Sequence, residues 1–338
     1  MSQSRRSAAQ HPIPGATALL SLALFGLAGC SVLHPRPLLL TPLATLQLSH
    51  MQLTMPKGTA LAPGKKSPLV VTFTDATGQT LSTVGQGHGT IPWSSLSVTA
   101  TVVQVNDKGV VQMPSLPWQS DGKTGTVTVA VPGEPSLTAQ IDVTPRYDLA
   151  YHAEYAGSSG MDGMDGTNGI DGMDGTPGNI DPNNPSPGGN GSDGTNGGDG
   201  GRGSDGGDGP PVLVTVAMSP GNRTLLEVSV SSPGSQKQWF LIDPNGGSLT
   251  VASNGGRGGA GGKGGKGGRG GAGGIGSPNG MSGSNGLDGQ DGFSGSDGRP
   301  GQVTLFYDPA AAPYIHVIRI ASSQPSPIIQ PRPTPPLW

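Results

Sequence analysis

Gly255-Gly-Arg-Gly-Gly-Ala-Gly-Gly-Lys-Gly-Gly-Lys-Gly-Gly-Arg-Gly-Gly-Ala-Gly-Gly-Ile-Gly276 is the stretch whose reading decides the fold. Glycine falls on every third position, and a second glycine row starts at Gly256. A three-residue period belongs neither to an α-helix nor to a strand; it is the period of polyproline II. The same series runs over 157–178, 188–209 and 280–301, eight glycines each time, and 157–301 holds 47 of the chain's 60 glycines. Each tract extends about 65 Å at ~3.1 Å per residue. Four tracts of equal length imply a structural object.

Three residues per turn give each tract three faces. Tract one has a bare face, a partly apolar face (Met161, Met164, Ile170, Met173) and an acidic face (Asp162, Asp165, Asp171, Asp174). Tract four repeats the scheme with Met281, Leu287 and Phe293 opposite Asp288, Asp291 and Asp297. Tract two has two small faces, and tract three has two of pure glycine beside Arg257, Lys263, Lys266 and Arg269. Two small faces mean two close neighbours, which places tracts two and three inside and one and four outside. Tract charges of −4, −3, +4 and −2 predict acidic and basic rows that pair across the array. The methionine row is expected to pack on a neighbouring rod or sheet.

Short Val/Thr-rich runs outside the tracts read as strands. Between Leu43 and Tyr147 they include Leu46–Ser49, Leu69–Thr74, Ser97–Val103, Gly109–Gln112 and Thr126–Val131, separated by turn residues. Roughly seven strands in about 100 residues suggest an antiparallel sandwich. Six further runs, four between tracts two and three and two after tract four, are expected to form one small capping sheet. The proline-containing tail 322–338 reads as disordered.

The chain opens with Arg5 and Arg6, an apolar run from Ala16 to Leu27, and Leu27-Ala28-Gly29-Cys30. A basic start, an apolar stretch too short to span a bilayer and small residues before the cut describe a secretory signal. The quartet resembles the lipobox of bacterial lipoproteins. That implies cleavage before Cys30, acylation of Cys30 and, with Ser31 following, the outer membrane. Several acyl chains give a stable anchor. Residues 30–42 then form a tether. With one cysteine no internal disulfide exists, and the mature part carries 17 basic against 22 acidic residues, which offers nothing to nucleic acid.

Trp93-Ser94-Ser95, the turn Asp107-Lys108-Gly109-Val110 and the run Ile141–Pro145 resemble bacterial immunoglobulin-like domains of surface adhesins, which implies a spacer. The tract pattern resembles polyglycine-II bundles of antifreeze proteins and phage tail-fibre tips. The whole resembles bacterial collagen-like lipoproteins, a family that brings no activity with it. The expected architecture is therefore all-β plus polyproline/polyglycine-II. An immunoglobulin-like β-sandwich (43–150) precedes glycine tracts one and two (157–209), a β insertion (210–254), tracts three and four (255–301) and closing strands (302–321). The four rods would form a helical bundle under a small sheet.

A collagen triple helix of three chains is the nearest competitor, but it needs only one glycine face and leans on proline. A calcium-binding β-roll is matched by Gly188–Asp193 and Gly200–Asp205, but at a spacing of twelve instead of nine. Gly122-Lys123-Thr124 lacks the first glycine of a phosphate loop, and six scattered histidines have no metal-ligand spacing. The expectation is a non-catalytic, lipid-anchored envelope protein acting as spacer or adhesin, monomeric, without cofactor or metal site. A trimeric stalk and a calcium- or glycan-binding module are the alternatives.

Overall fold

A computed structural model describes residues 43, 46–221 and 223–338, all within one compact unit. The expected signal segment 1–29, Cys30 and the tether 30–42 lie outside the described residues.

The architecture corrects the expected one. Among the described residues, regular structure is mostly β-strand, in five sheets, and helices are confined to short segments. No four-rod helical bundle forms among the described residues, and no single capping sheet.

Ten strands fill the first part: β1 (Leu48–Thr54), β2 (Ala60–Leu61), β3 (Lys66–Pro68), β4 (Val70–Asp75), β5 (Thr80–Ser82), β6 (Ser97–Thr101), β7 (Gln104–Val105), β8 (Val110–Gln112), β9 (Gly125–Val131) and β10 (Glu134–Pro145). They make three sheets, β1-β4-β5, β2-β10-β9-β6 and β3-β8-β7, in place of a seven-strand sandwich. Very short strands β2, β3 and β7 carry too little alternation to be read, and β2 joins β10 in parallel. Alternation along β9 turns Val127, Val129 and Val131 inward to meet Val71, Phe73, Ile91 and Trp93. Gly109 has φ +68°, and a Cβ there would sit 2.1 Å from the Trp93 ring, so the turn needs glycine on both counts. A four-residue helix, α1 (Pro117–Ser120), lies on the side of the second part.

Eight strands build that second part: β11 (Ala150–Ala156), β12 (Val212–Met218), β13 (Leu226–Ser231), β14 (Gln238–Ile242), β15 (Ser248–Asn254), β16 (Val303–Tyr307), β17 (Ile318–Ser322) and β18 (Ile328–Pro331). One sheet is β11-β15-β17, wholly parallel; the other is β14-β13-β12-β16-β18. Val214, Val216, Leu226, Val228, Leu249 and Leu305 are core residues of this part. Parallel neighbours require long crossovers. The glycine tracts join one sheet to the other and form part of those crossovers: β11 runs out through tract one and returns through tract two into β12. Tracts three and four likewise join β15 to β16.

Strand register continues into the tracts. Ala150 of β11 pairs with Ser248 of β15, and Asp162 of tract one reaches Ala260 of tract three, 98 residues apart again. Along β12 and β16, Val212 pairs with Val303, and Asp193 likewise reaches Ser284, 91 residues on. Tracts one and three are thus parallel, as are two and four.

All tract backbone bonds found among the described residues run sideways, as an extended chain without internal bonds requires. Gly163 N–H donates to Ala260 O (2.8 Å), Ser204 N–H to Met161 O (2.9 Å), Gly262 N–H to Gly201 O (2.9 Å) and Gly292 N–H to Gly262 O (2.7 Å). Gly200 N–H donates to Gln290 O (2.8 Å). Among the described residues, tracts two and three each bond to the three others, whereas bonds of one and four are found to two and three. A Cβ on Gly163 would stand 2.0 Å from Gly201 O, and one on Gly262 2.0 Å from Met164 O. Real side chains never come so close, so backbone contact dictates the glycine.

The tail also differs from expectation. Residues 328–331 are β18, paired in parallel with β16, and Trp338 packs tilted against Trp118 and edge-on against Trp239.

Candidate functional site: the outward rows of the glycine tracts

Hydrogen bonds fix which side each row faces. On tract one the amides of Met161, Ile170 and Met173 donate to the hydroxyls of Ser204, Thr195 and Ser192, so this row lies beside tract two. Its acidic row lies beside tract three, where Asp162, Asp165 and Asp171 accept from the amides of Ala260, Lys263 and Arg269 at 2.7 Å. Tract four is arranged alike. The amides of Met281 and Leu287 donate to Asn190 and Asn196 of tract two, while Asp288, Asp291 and Asp297 accept from glycine amides of tract three at 2.8 Å.

Two unlike sides result. On the tract-two side, apolar rows of tracts one and four flank a polar row. Met161, Met164, Ile170 and Met173 are 74–85% exposed, and Met281, Leu287 and Phe293 are 68–81% exposed. The methionines therefore do not pack on a neighbour, a correction with a simple cause. Only glycine fits between tracts, so any larger side chain is pushed outward. On the tract-three side, two acidic rows flank the exposed row of Arg257, Lys263, Lys266 and Arg269.

The predicted charge pairing is also corrected. Among the described residues, the ion pairs found are Arg146–Asp148, Arg202–Asp205 and Arg223–Asp121, and none joins two tracts. Aspartate and asparagine at the third position act instead as acceptors for amides of the adjacent tract. The interchange of Asp and Asn along one row (Asn168 between Asp165 and Asp171) was the sequence signal for this: a carbonyl-type oxygen is needed there and a charge is not. Ser192, Thr195 and Ser204, read only as small, serve the same purpose.

No group of three or more metal-ligating side chains occurs among the described residues. Asp193 and Asp205, the positions of the β-roll resemblance, are occupied with the amides of Ser284 (2.6 Å) and Ser296 (2.7 Å). Lys123, of the phosphate-loop fragment, donates to Gln119 O at 3.3 Å. A groove of about 770 Å³ beside Leu43, Leu48 and Leu137 contains Glu134 as its one titratable residue.

A smaller cavity of about 270 Å³ lies where the first part meets the second, against Pro117, Tyr151, Trp239 and Phe240. Burial pushes the Tyr151 phenol up to about 12, with Asp148 adding to the effect. Next to it Trp118, Trp239 and Trp338 stand with ring centres 5.5–5.9 Å apart. Cys30, the one residue expected to be modified, lies outside the described residues. Compared with known proteins, the chain matches no family model, no curated protein and no solved structure.

Proposed function

We propose that this is a non-catalytic cell-envelope protein, anchored in the outer membrane by lipid on Cys30, that acts as a spacer or adhesin. Its contact surface is the tract-two side of the glycine array. The observation that carries this reading is the exposure of seven large apolar side chains in two rows on tracts one and four. Scattered exposed apolar residues are ordinary, but two regular rows on one side, interrupted only by Thr167, Ser284 and Gln290, form a mixed apolar and polar surface suited to meeting something else. The array suits such a role because backbone bonds along its length hold the rows straight. The Cys30 anchor rests on the lipobox-like Leu27-Ala28-Gly29-Cys30 alone.

Two measurements test the proposal. Labelled palmitate is expected to be incorporated into the chain and not into Cys30→Ser; equal labelling of both contradicts the anchor. Added from outside as the unlipidated Cys30→Ser chain, the protein should bind whole cells, and joint replacement of Met161, Met164, Ile170 and Met173 by alanine should leave its melting temperature unchanged and abolish that binding. Undiminished binding would remove this side as the contact surface.

A further inference from the structure

The tail is held at several places along its length. After β18 pairs with β16, Arg332 N–H donates to Tyr307 O at 2.8 Å and its guanidinium lies 5.2 Å from the Phe306 ring centre. Thr334 N–H donates to Asp308 Oδ2 at 3.0 Å. Leu337 N–H donates to Glu227 Oε2 at 2.5 Å. Trp338 then closes the aromatic group formed by Trp118 on α1 and Trp239 on β14. One segment of the second part is thereby fastened to the first part.

Glu227 is the unusual member of this set. It lies on β13, a strand with neighbours on both sides, and is fully buried. Oε2 accepts from the tail, whereas Oε1 has no hydrogen-bond partner. No cation pairs with it among the described residues. Of the charged groups nearby, Asp121 is bound to Arg223 at 2.7 Å, Lys237 sits over the Trp239 ring at 4.2 Å, and Asp308 and Arg332 hold the tail farther back. Ser219 and the amides of Leu337 and Trp338 are its polar surroundings.

We infer that residues 328–338 are a latch, closed over the buried Glu227 carboxyl, which locks the first part of the protein to the sheets that carry the glycine tracts and which loosens as Glu227 ionises. A buried carboxyl with one unpartnered oxygen and no cation beside it is tolerated neutral and costly charged. Burial raises its proton affinity, which the amides and Ser219 only partly offset. The sign follows from linkage. With the latch closed the carboxyl titrates above its ordinary value, so the latch is most stable below the ordinary carboxylate range. That stability is lost as pH rises through the raised value.

Hydrogen exchange of the full chain in detergent, read by mass spectrometry on peptides covering 328–338, tests this between pH 4.5 and 8. After correction for intrinsic rates, protection should fall as pH rises, on the order of tenfold for each pH unit separating the closed and open midpoints. Glu227→Gln, which cannot ionise, should keep the protection high throughout. Flat protection in the unmodified protein, which requires no variant to fold, overturns the coupling; so does a Glu227→Gln variant that loosens with pH as before. Trp338→Ala should raise exchange in α1 (117–120) at both pH values. Unchanged exchange there overturns the locking role.

Discussion

Gly265→Ala isolates the force that shapes the glycine array. Gly265 does not have a positive φ, so alanine is allowed by its backbone conformation. Judged on conformational entropy alone, the substitution should stabilise by about 0.4–1 kcal/mol. Contact says the reverse. The added Cβ would lie 2.0 Å from Thr167 O and 2.5 Å from Thr167 C, and both are backbone. Relief needs tracts one and three to part by about 1 Å or more, which breaks the bonds on either side. Those are Gly166 N–H to Lys263 O and Gly169 N–H to Lys266 O, both 2.7 Å. With them go the bonds that the amides of Lys263 and Lys266 donate to Asp165 (2.7 Å) and Asn168 (2.9 Å). Four bonds at a net ~1 kcal/mol each give a loss of about 4 kcal/mol, reduced to about 3 by the entropy gain. Urea unfolding followed by hydrogen exchange at the flanking glycines reads the effect, with the exposed Lys263→Ala as control within about 0.5 kcal/mol. A Gly265→Ala protein as stable as the parent would refute the contact argument.

Other positions yield equally direct expectations. Asp171→Asn should be within about 0.5 kcal/mol of the parent and Asp171→Ala about 1 kcal/mol less stable, because an acceptor for Arg269 N–H is needed and a charge is not; equal losses in thermal unfolding would restore the charge-pairing view. For the same reason, raising salt from 0.05 to about 0.5 M should barely move the array's unfolding, since no ion pair between tracts is found among the described residues. Gly109→Ala should destabilise the first part by roughly 3 kcal/mol, combining a left-handed backbone with overlap onto Trp93; an unaltered urea midpoint would show that the turn can rearrange.

Much of the arrangement was legible because glycine spacing is a direct record of backbone contact. The two glycine rows beginning at Gly255 and Gly256 mark tract three as an interior tract, but it bonds to all three others where two close neighbours were expected. The sheets were harder to read. β2 and β7 have two residues each, too few to alternate, and the parallel pairing of β11 with β15 depends on partners 98 residues apart. No local pattern encodes that. The tail misled through its prolines. Ile328-Ile329-Gln330 can extend the β16 edge because Pro331 closes the strand without interrupting it, and the aromatic partners of Trp338 are remote in sequence. Charge misled too: the aspartate rows invited ion pairing, whereas third-position side chains of a three-residue repeat lie next to the amides of the adjacent tract, which they reach first.

Pairing of the glycine tracts within one chain is the central claim, and through-hydrogen-bond nitrogen–carbonyl couplings measure it most directly. A uniformly labelled sample should correlate Gly163 N with Ala260 C′, Ser204 N with Met161 C′, Gly262 N with Gly201 C′ and Gly292 N with Gly262 C′. A mixture of chains labelled only with nitrogen-15 and chains labelled only with carbon-13 should show none of them. Correlations that persist in the mixture, or others that imply a different register in the uniform sample, would contradict the account.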